Sequence, residues 1–416
     1  MSMDKLRVGI FGAGRGMALA KCFIQLGAEI VALCDHHEGR RAAAMKQLDS
    51  SVAAYESFDA FIEHPMDVVV LANNFYQHAP YAVKCFERNI HVLSECISNG
   101  TMGEGVALVR AFEKSKSIYM LAENYPQMLF NREMKRVVDE GKLGKILYAE
   151  GEYNHPVSAW DTAFTKKNRF YPKHWRNFLP RTYYITHSLG PVMRITGATP
   201  KRVTAFAMYA PTKEEIPSAS HNADKASTIT TLNDDGSVFR ITGCANFGAH
   251  HNAYRICGTK GQIENLRGMD HKVMLRYNEW DRPAGEPCEA LYTPDWNDKD
   301  EAIIKKSGHG GGDYLTVRMF VECIKEGKQP PHPFDVYSAT VMASVALLGH
   351  RSVLESGMPY DIPDFRKEED KQRYENDFLT PFYGDDGSEP TLPCCSDPSY
   401  QPTEKQMELY FKELEK

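Results

Sequence analysis

Near the N-terminus the run Gly12-Ala13-Gly14-Arg15-Gly16-Met17 has the composition of a turn that receives a phosphate. Gly12 permits a tight turn. Gly14 lets an anion approach the backbone at a helix N-terminus, where free N–H groups and the helix dipole favour negative charge. A carboxylate, Asp35, follows about 20 residues later, where an acid accepts hydrogen bonds from the adenosine ribose of a dinucleotide. A 2′-phosphate there meets like charge, which argues for NAD over NADP, although Arg40 and Arg41 stand near enough to reach over to one. The third glycine of the usual G-x-G-x-x-G pattern comes one place early, at Gly16 instead of Met17. The run is therefore read with its context of strand, turn, helix and terminal acid rather than alone.

A second group of residues can move protons. Tyr183-Tyr184-Ile185-Thr186-His187 carries two phenols and an imidazole, and a histidine titrates near working pH, so His187 is the first candidate for a base. The stretch HVLSECISNG ends a strand-like run on Glu95 and follows it with a thiol, Cys96. No base is evident beside Cys96, so the expected part is a small apolar filler beside a nicotinamide rather than a nucleophile. In YPKHWRNFLPR, Trp175 offers a face on which a sugar can stack, while Lys173, His174 and Arg176 suit an anionic substituent; a solvated loop is an equally weighted reading. Ten cysteines occur without a C-x-x-C pair, and the adjacent pairs His36/His37 and His250/His251 lack the i, i+4 spacing that aims two imidazoles at one ion. No metal is expected.

These side chains need elements to place them. Residues 6–34 read as strand, glycine turn, helix and second strand, and DVVVLANN, IHVLSE and IYMLAEN continue as apolar runs. Such runs are expected of parallel strands covered on both faces by helices. The ligand crevice of a doubly wound sheet lies beyond the C-terminal strand ends, which here carry Asn73, Asn74, His78, Glu95, Cys96, Glu123 and Asn124. From about residue 145 the pattern alternates with period two, and DDG at 234–236 signals a hairpin. The expectation is an α/β chain in three parts. An N-terminal Rossmann domain (1–125) precedes an α+β domain with an open, mainly antiparallel sheet (126–360) and a C-terminal arm (361–416) packed on the body or on a neighbouring subunit. The net charge of −6 comes with no block of like charge, which disfavours nucleic acid. No apolar run is long enough to span a bilayer, and the N-terminus lacks signal-peptide features, so no membrane partner and a cytoplasmic location are expected.

The order of these segments resembles the Gfo/Idh/MocA family of sugar and cyclitol dehydrogenases, from LRVGIFGAGRG through DVVVLANNFYQHAPYAVKCFERNIHVLSE to YRICGTKGQIE and GGGDYLTVRMFVECIKEGKQP. His78 falls on the histidine of that family's A-T-P-N-x-x-H segment, with Asn73-Asn74-Phe75 in place of T-P-N. The family's lysine in E-K-P and aspartate in D-x-x-x-H are replaced by Cys96 and Tyr183. The segments AENYPQ, EGEYNHP, YYITHSLGPV, RICGTKGQ, GHGGGDY and IPDF are more closely similar to the NAD-dependent α-N-acetylgalactosaminidase branch, which also lacks the lysine. That resemblance implies an active site of Glu123, Tyr153, Tyr184 and His187. It also implies NAD as cofactor, with Gly12, Gly14, Arg15, Gly16, Met17, Asp35, Asn73, Asn74, His78, Glu95, Cys96 and Asn124 around it.

The reaction it implies is redox-assisted glycoside cleavage: transient oxidation at carbon 3 of a pyranoside, loss of the acidified carbon 2 proton to Tyr153 or Tyr184, and elimination at carbon 1. The pair of carboxylates of ordinary glycosidases is then unnecessary. Net dehydrogenation of a sugar or cyclitol is the alternative, and a non-catalytic NAD-binding sensor is a third reading. A homodimer or homotetramer is expected on family grounds.

Overall fold

The apolar runs of the first half become parallel strands buried on both faces. The computed structural model describes residues 5–157 and 172–415. Its first sheet holds β1 (Arg7–Phe11), β2 (Glu29–Cys34), β3 (Ala53–Tyr55), β4 (Val68–Leu71), β5 (His91–Ser94) and β6 (Tyr119–Leu121), in the order β3-β2-β1-β4-β5-β6. Every pairing in it is parallel. All four residues of β4 are buried, as a strand covered by helices on both sides must be. The strand order turns back between β1 and β4, so the crevice for a ligand opens at their C-terminal ends.

The alternating segments form a second sheet of nine strands: β7 (Ile146–Asn154), β8 (Pro200–Tyr209), β9 (Asp224–Asn233), β10 (Val238–Ala245), β11 (His251–Gly258), β12 (Gly261–Leu266), β13 (Met269–Tyr277), β14 (Glu289–Tyr292) and β15 (Tyr360–Asp361). Their order is β14-β13-β12-β11-β7-β10-β9-β8-β15. All neighbours are antiparallel except β7 and β10, which run parallel. The hairpin expected at 234–236 joins β9 to β10, with Gly236 at φ 83°. Ala149, Ile229, Ile241, Ile256 and Ile263 project from one face of this sheet and are wholly buried. The helix Thr186–Thr196 lies so close to β7 that a Cβ on Gly151 would fall 2.1 Å from the Ser188 carbonyl oxygen. Only glycine allows that approach, and it carries His187 toward Tyr153.

The C-terminal residues pack on the body. Arg351 forms a two-pronged ion pair with Asp377, both N···O distances being 2.6 Å. Cys394 Sγ donates to the His221 carbonyl, and Gln77 in the first half donates to Asp385 at 2.8 Å. The His350 Nε2–H donates to the Pro393 carbonyl at 2.6 Å. No helix among the described residues is long and apolar enough to cross a membrane.

Burial of His350, which outweighs its bond to Pro393, lowers its pKa from 6.5 to about 4. Between those values the unfolded chain takes up a proton that the folded chain refuses. This contribution to stability is therefore complete above about pH 6.5 and is lost as pH falls toward 4. Thermal unfolding midpoints should fall across that window, and His350→Gln, which keeps a donor for Pro393 but cannot titrate, should fall less steeply.

Candidate active site

The glycine turn is built for close approach. Gly12 has φ +102°, and a side chain there would meet the Ala72 carbonyl oxygen at 2.2 Å. A Cβ on Gly16 would lie 2.6 Å from Ile10, so the early third glycine still packs its helix onto β1, and Met17 is buried in that interface. Nothing lies within 4 Å of the Cβ position of Gly14, which leaves the turn open to a ligand. At the end of β2, the buried Asp35 accepts from the Ala13 and His37 N–H groups, each at 2.8 Å. One lone pair is used on each oxygen, and others remain for ribose hydroxyls. Arg41 donates to the Asp35 carbonyl at 2.6 Å and faces Glu56 at 3.7 Å. At the strand ends, Asn73 Oδ1 and Asn124 Oδ1 are buried acceptors without a hydrogen-bond partner. Open turn, ribose acceptor and waiting acceptors together fit a bound dinucleotide.

Other residues expected around the cofactor brace the crevice from within. The Arg15 guanidinium donates through Nε to Glu95 at 2.7 Å and through both Nη atoms to Asp313 at 2.7 and 2.6 Å. Burial by itself raises the Asp313 pKa, but Arg15 and His309 overcome it and hold the carboxyl far below its usual range. Asn124 also donates to Asp313, at 2.7 Å. Asn74 donates to Gln77 within its own loop. His78 is buried and donates through Nδ1 to the Ile97 carbonyl at 2.7 Å, which fixes the exit from β5; burial lowers its pKa.

Glu123, at the end of β6, has no exposed surface. Its carboxylate accepts from the Tyr125 N–H at 3.1 Å, from His187 Nδ1 at 2.9 and 3.0 Å, and from Cys96 Sγ at 3.3 Å. Burial pushes the Glu123 pKa up, but the facing His187 and the bonds from His187, Thr186 and Tyr125 bring it down on balance, so the group is a carboxylate. An ionised carboxylate only accepts; His187 Nδ1 therefore carries a proton, and in the neutral ring Nε2 holds the basic lone pair. The imidazole is boxed by phenols. Tyr125 stacks on it at 4.1 Å between centroids, and Tyr153 and Tyr184 meet it edge-on at 5.0 and 5.3 Å.

Cys96 has a different part from the apolar filler expected from the sequence. Burial first, then the Glu123 and Glu95 charges, keep its pKa well above the ordinary value, so the group is a thiol that donates to Glu123. Tyr183, where the family has its aspartate, is buried against His350 and Phe382 and stays out of the site. Trp175 stacks on Phe75 at 5.4 Å, and Phe75 stacks on Tyr184 at 5.4 Å, while His174 and Arg176 lie against the indole. Lys173 sits over the Tyr383 ring of the C-terminal arm. The indole is thus packed on one side, and through Phe75 it supports Tyr184.

Tyr125, His309 and Asp313 were not singled out from the sequence, and Phe75 was noted only as a departure from the family's T-P-N. Tyr125 follows Glu123 by two places at a strand end, which is the one local signal available. His309 pairs with Asp313 at 3.1 Å and lies 6.1 Å from Tyr125 between ring centroids. Among the described residues no group of three or more His, Cys, Asp or Glu could hold a metal ion.

Three family models match the chain, two of them overlapping at residues 221–264. Residues 6–123 match the oxidoreductase family, NAD-binding Rossmann fold; residues 131–264 the GFO/IDH/MocA C-terminal domain; and residues 221–372 the glycosyl hydrolase 109 C-terminal domain. Glycosyl hydrolase family 109 protein 1 of Bacteroides fragilis is 25% identical over 411 residues, covering 88% of this chain and 86% of the relative. A glycosyl hydrolase family 109 protein of Shewanella pealeana is 24% identical over 403 residues, with 88% and 86% covered. The fold matches that of a levoglucosan dehydrogenase solved with NADH and levoglucosan, with TM-score 0.71, 17% identity, and 86% of this chain and 100% of that one covered. The chain is an NAD-dependent enzyme of the Gfo/Idh/MocA oxidoreductase family with a glycosyl hydrolase 109 C-terminal domain.

If Asp35 receives the adenosine ribose, Asp35→Ala should weaken NAD binding by about 10- to 100-fold, the worth of one or two hydrogen bonds to a charged group. Fluorescence titration with NADH measures this, and unchanged affinity would remove Asp35 from the cofactor site.

Proposed function

We propose that the enzyme cleaves glycosides by transient oxidation of a pyranoside hydroxyl carbon, carbon 3, without net oxidation. The observation that carries this reading is the Glu123–His187 pair inside its tyrosine box, with a thiol at position 96 and a core tyrosine at position 183. At those two positions neither an ammonium nor a second carboxylate stands to serve a simple alcohol oxidation.

In this reading His187 Nε2 takes the proton of the carbon 3 hydroxyl, and Glu123 stabilises the imidazolium that forms. When bound, NAD supplies a reversible two-electron acceptor at that carbon and restores the starting redox state at the end of the cycle; the turn at Gly12–Gly16, Asp35, Asn73 and Asn124 are the residues that would hold it. The carbon 3 ketone acidifies the carbon 2 proton, which Tyr153 or Tyr184, as phenolate, removes. The carbon 1–oxygen bond then breaks with its electron pair on the leaving oxygen, which takes up a proton. Water adds across the resulting carbon 1–carbon 2 double bond, and the carbonyl returns to the alcohol. Glu123, fully buried, acts through His187 rather than on the sugar.

Nitrophenyl glycosides incubated with the NAD-loaded protein in deuterated water test this. Nitrophenol release with deuterium at carbon 2 and no net NADH is the expected result; NADH accumulation without cleavage would establish a net dehydrogenase, and neither product a sensor. Within an active protein, Glu123→Gln should lower turnover at least hundredfold. Cys96→Ala should lower it several-fold and Cys96→Ser less, since one neutral donor to a carboxylate is worth about 1 kcal/mol. Equal loss in Ala and Ser would show that the thiol matters for packing and not as a donor.

A further inference from the structure

Phe75, in the loop after β4, stacks on Tyr184, which lies just before the helix Thr186–Thr196. The residue after Phe75 and the residue before Tyr184 are also aromatic, Tyr76 and Tyr183. A ring from the C-terminal arm joins these two. Phe382 stacks on Tyr76 at 4.4 Å between centroids and meets Tyr183 edge-on at 5.8 Å. Phe382 and Tyr183 are each only 1% exposed. A second aromatic bridge thus lies behind the first: Phe75 to Tyr184 in the site, and Tyr76 to Phe382 to Tyr183 behind it.

The arm grips Phe382 on both sides in the chain. Upstream, Asp377 pairs with Arg351, and its carbonyl accepts from the Gly103 N–H at 2.7 Å. Thr380 and Thr391 close a loop around Phe382: the Thr380 N–H donates to Thr391 Oγ1 and the Thr391 N–H to the Thr380 carbonyl, each at 2.8 Å. Downstream, the Tyr383 carbonyl accepts from the Tyr76 hydroxyl at 3.2 Å, and Asp385 accepts from Gln77. The Tyr183 ring is also met edge-on by His350 at 5.8 Å. The wedge is therefore tied to both halves of the chain.

Consecutive Cα atoms are about 3.8 Å apart, so a ring that sets the distance from Tyr76 to Tyr183 also limits the distance from Phe75 to Tyr184. Close-packed interiors transmit such a constraint because they have few voids to absorb a shift. We infer that Phe382 is a positioning residue of the candidate active site: through Tyr76 and Tyr183, the arm sets the stack that holds the Tyr184 phenol beside His187. Tyr183 then serves a site from which its own side chain is absent. If these rings only filled the core, changing Phe382 would lower stability without singling out Tyr184.

The effect on turnover rests on the proposed reaction, and the experiment separates the two. A fluorotyrosine is placed at position 184 or at position 125, which stacks on the same imidazole. Its fluorine NMR resonance is read in the NAD-loaded natural protein, in Phe382→Leu and in Tyr76→Leu. Tyr76 is half-buried, so Tyr76→Leu removes the same stack at a more tolerant position and decides the question if Phe382→Leu does not fold. The expected result is a resonance that shifts or broadens at 184 and stays at 125. With nitrophenyl glycosides, kcat should fall about tenfold in both variants while KM and NADH affinity stay within about twofold, as expected when a reacting group is displaced by less than about 1 Å. A resonance at 184 that stays, equal shifts at 184 and 125, or an unchanged kcat in protein that cleaves glycosides would overturn the positioning. If the natural protein cleaves no glycoside, the proposed reaction falls and the two resonances alone decide.

Discussion

The carboxylate of Glu123 is the constraint around which the candidate active site is arranged. A charge with no exposed surface must be paired and hydrogen-bonded or it neutralises. Here the donors come from the Tyr125 N–H directly after β6, from Cys96 after β5, and from His187 in the helix Thr186–Thr196. Three separate elements are thereby held to one point. Removing the ionic partner of a buried pair costs about 3–5 kcal/mol, so among these donors His187 is the one the carboxylate can least lose. The same demand fixes the chemistry: with Nδ1 bound to the carboxylate, the imidazole presents Nε2 as its basic atom, and the stacked Tyr125 ring fixes its plane.

A second ionic knot sits one residue away. Glu95 accepts from Arg15, which also grips Asp313 in the helix Gly312–Glu326. The turn that fits the dinucleotide is therefore tied to a helix nearly three hundred residues later in the chain. Glu95 and Cys96 are adjacent, yet one belongs to the network of the glycine turn and the other to the network of the base. The dipeptide couples the geometry of the two: a shift of the β5 exit moves both. His78, braced against the Ile97 carbonyl, holds that exit from beneath.

What was legible in the sequence was whatever obeys a local period. Apolar runs gave the parallel strands, alternation gave the open sheet, and the glycine turn with Asp35 gave the dinucleotide crevice. His187 was legible as a candidate because an imidazole three places after a pair of phenols groups side chains that can move protons. The Arg15–Asp313 pair was not legible, because nothing local marks two residues 298 apart as partners. The Trp175–Phe75–Tyr184 stack was hidden for the same reason, and without it Trp175 reads as a sugar platform. The parallel pairing of β7 with β10 is invisible to period, since a strand alternates in the same way whichever direction its neighbour runs. Cys96 was misread because a thiol's burial suggests an apolar part, whereas its bond to Glu123 depends on a partner 27 residues away.

In the proposed reaction, a thiol at position 96 in place of the family's lysine leaves His187 a workable base. An ammonium beside Glu123 would be the strongest partner available to that carboxylate, and Coulomb attraction would divide the negative charge between lysine and His187. A neutral thiol donates one weak hydrogen bond and competes little. The field of the carboxylate is then directed mainly at the imidazole, where it favours the charged ring that forms when His187 takes a proton. Tyr183, withdrawn into the core, puts no carboxylate at the family's aspartate position to share that proton. In the proposed reaction the two departures from the family pattern thus act in one direction: they leave the Glu123 carboxylate facing His187, the base proposed for the hydroxyl proton, while the carbon 2 proton goes to a phenol of the box.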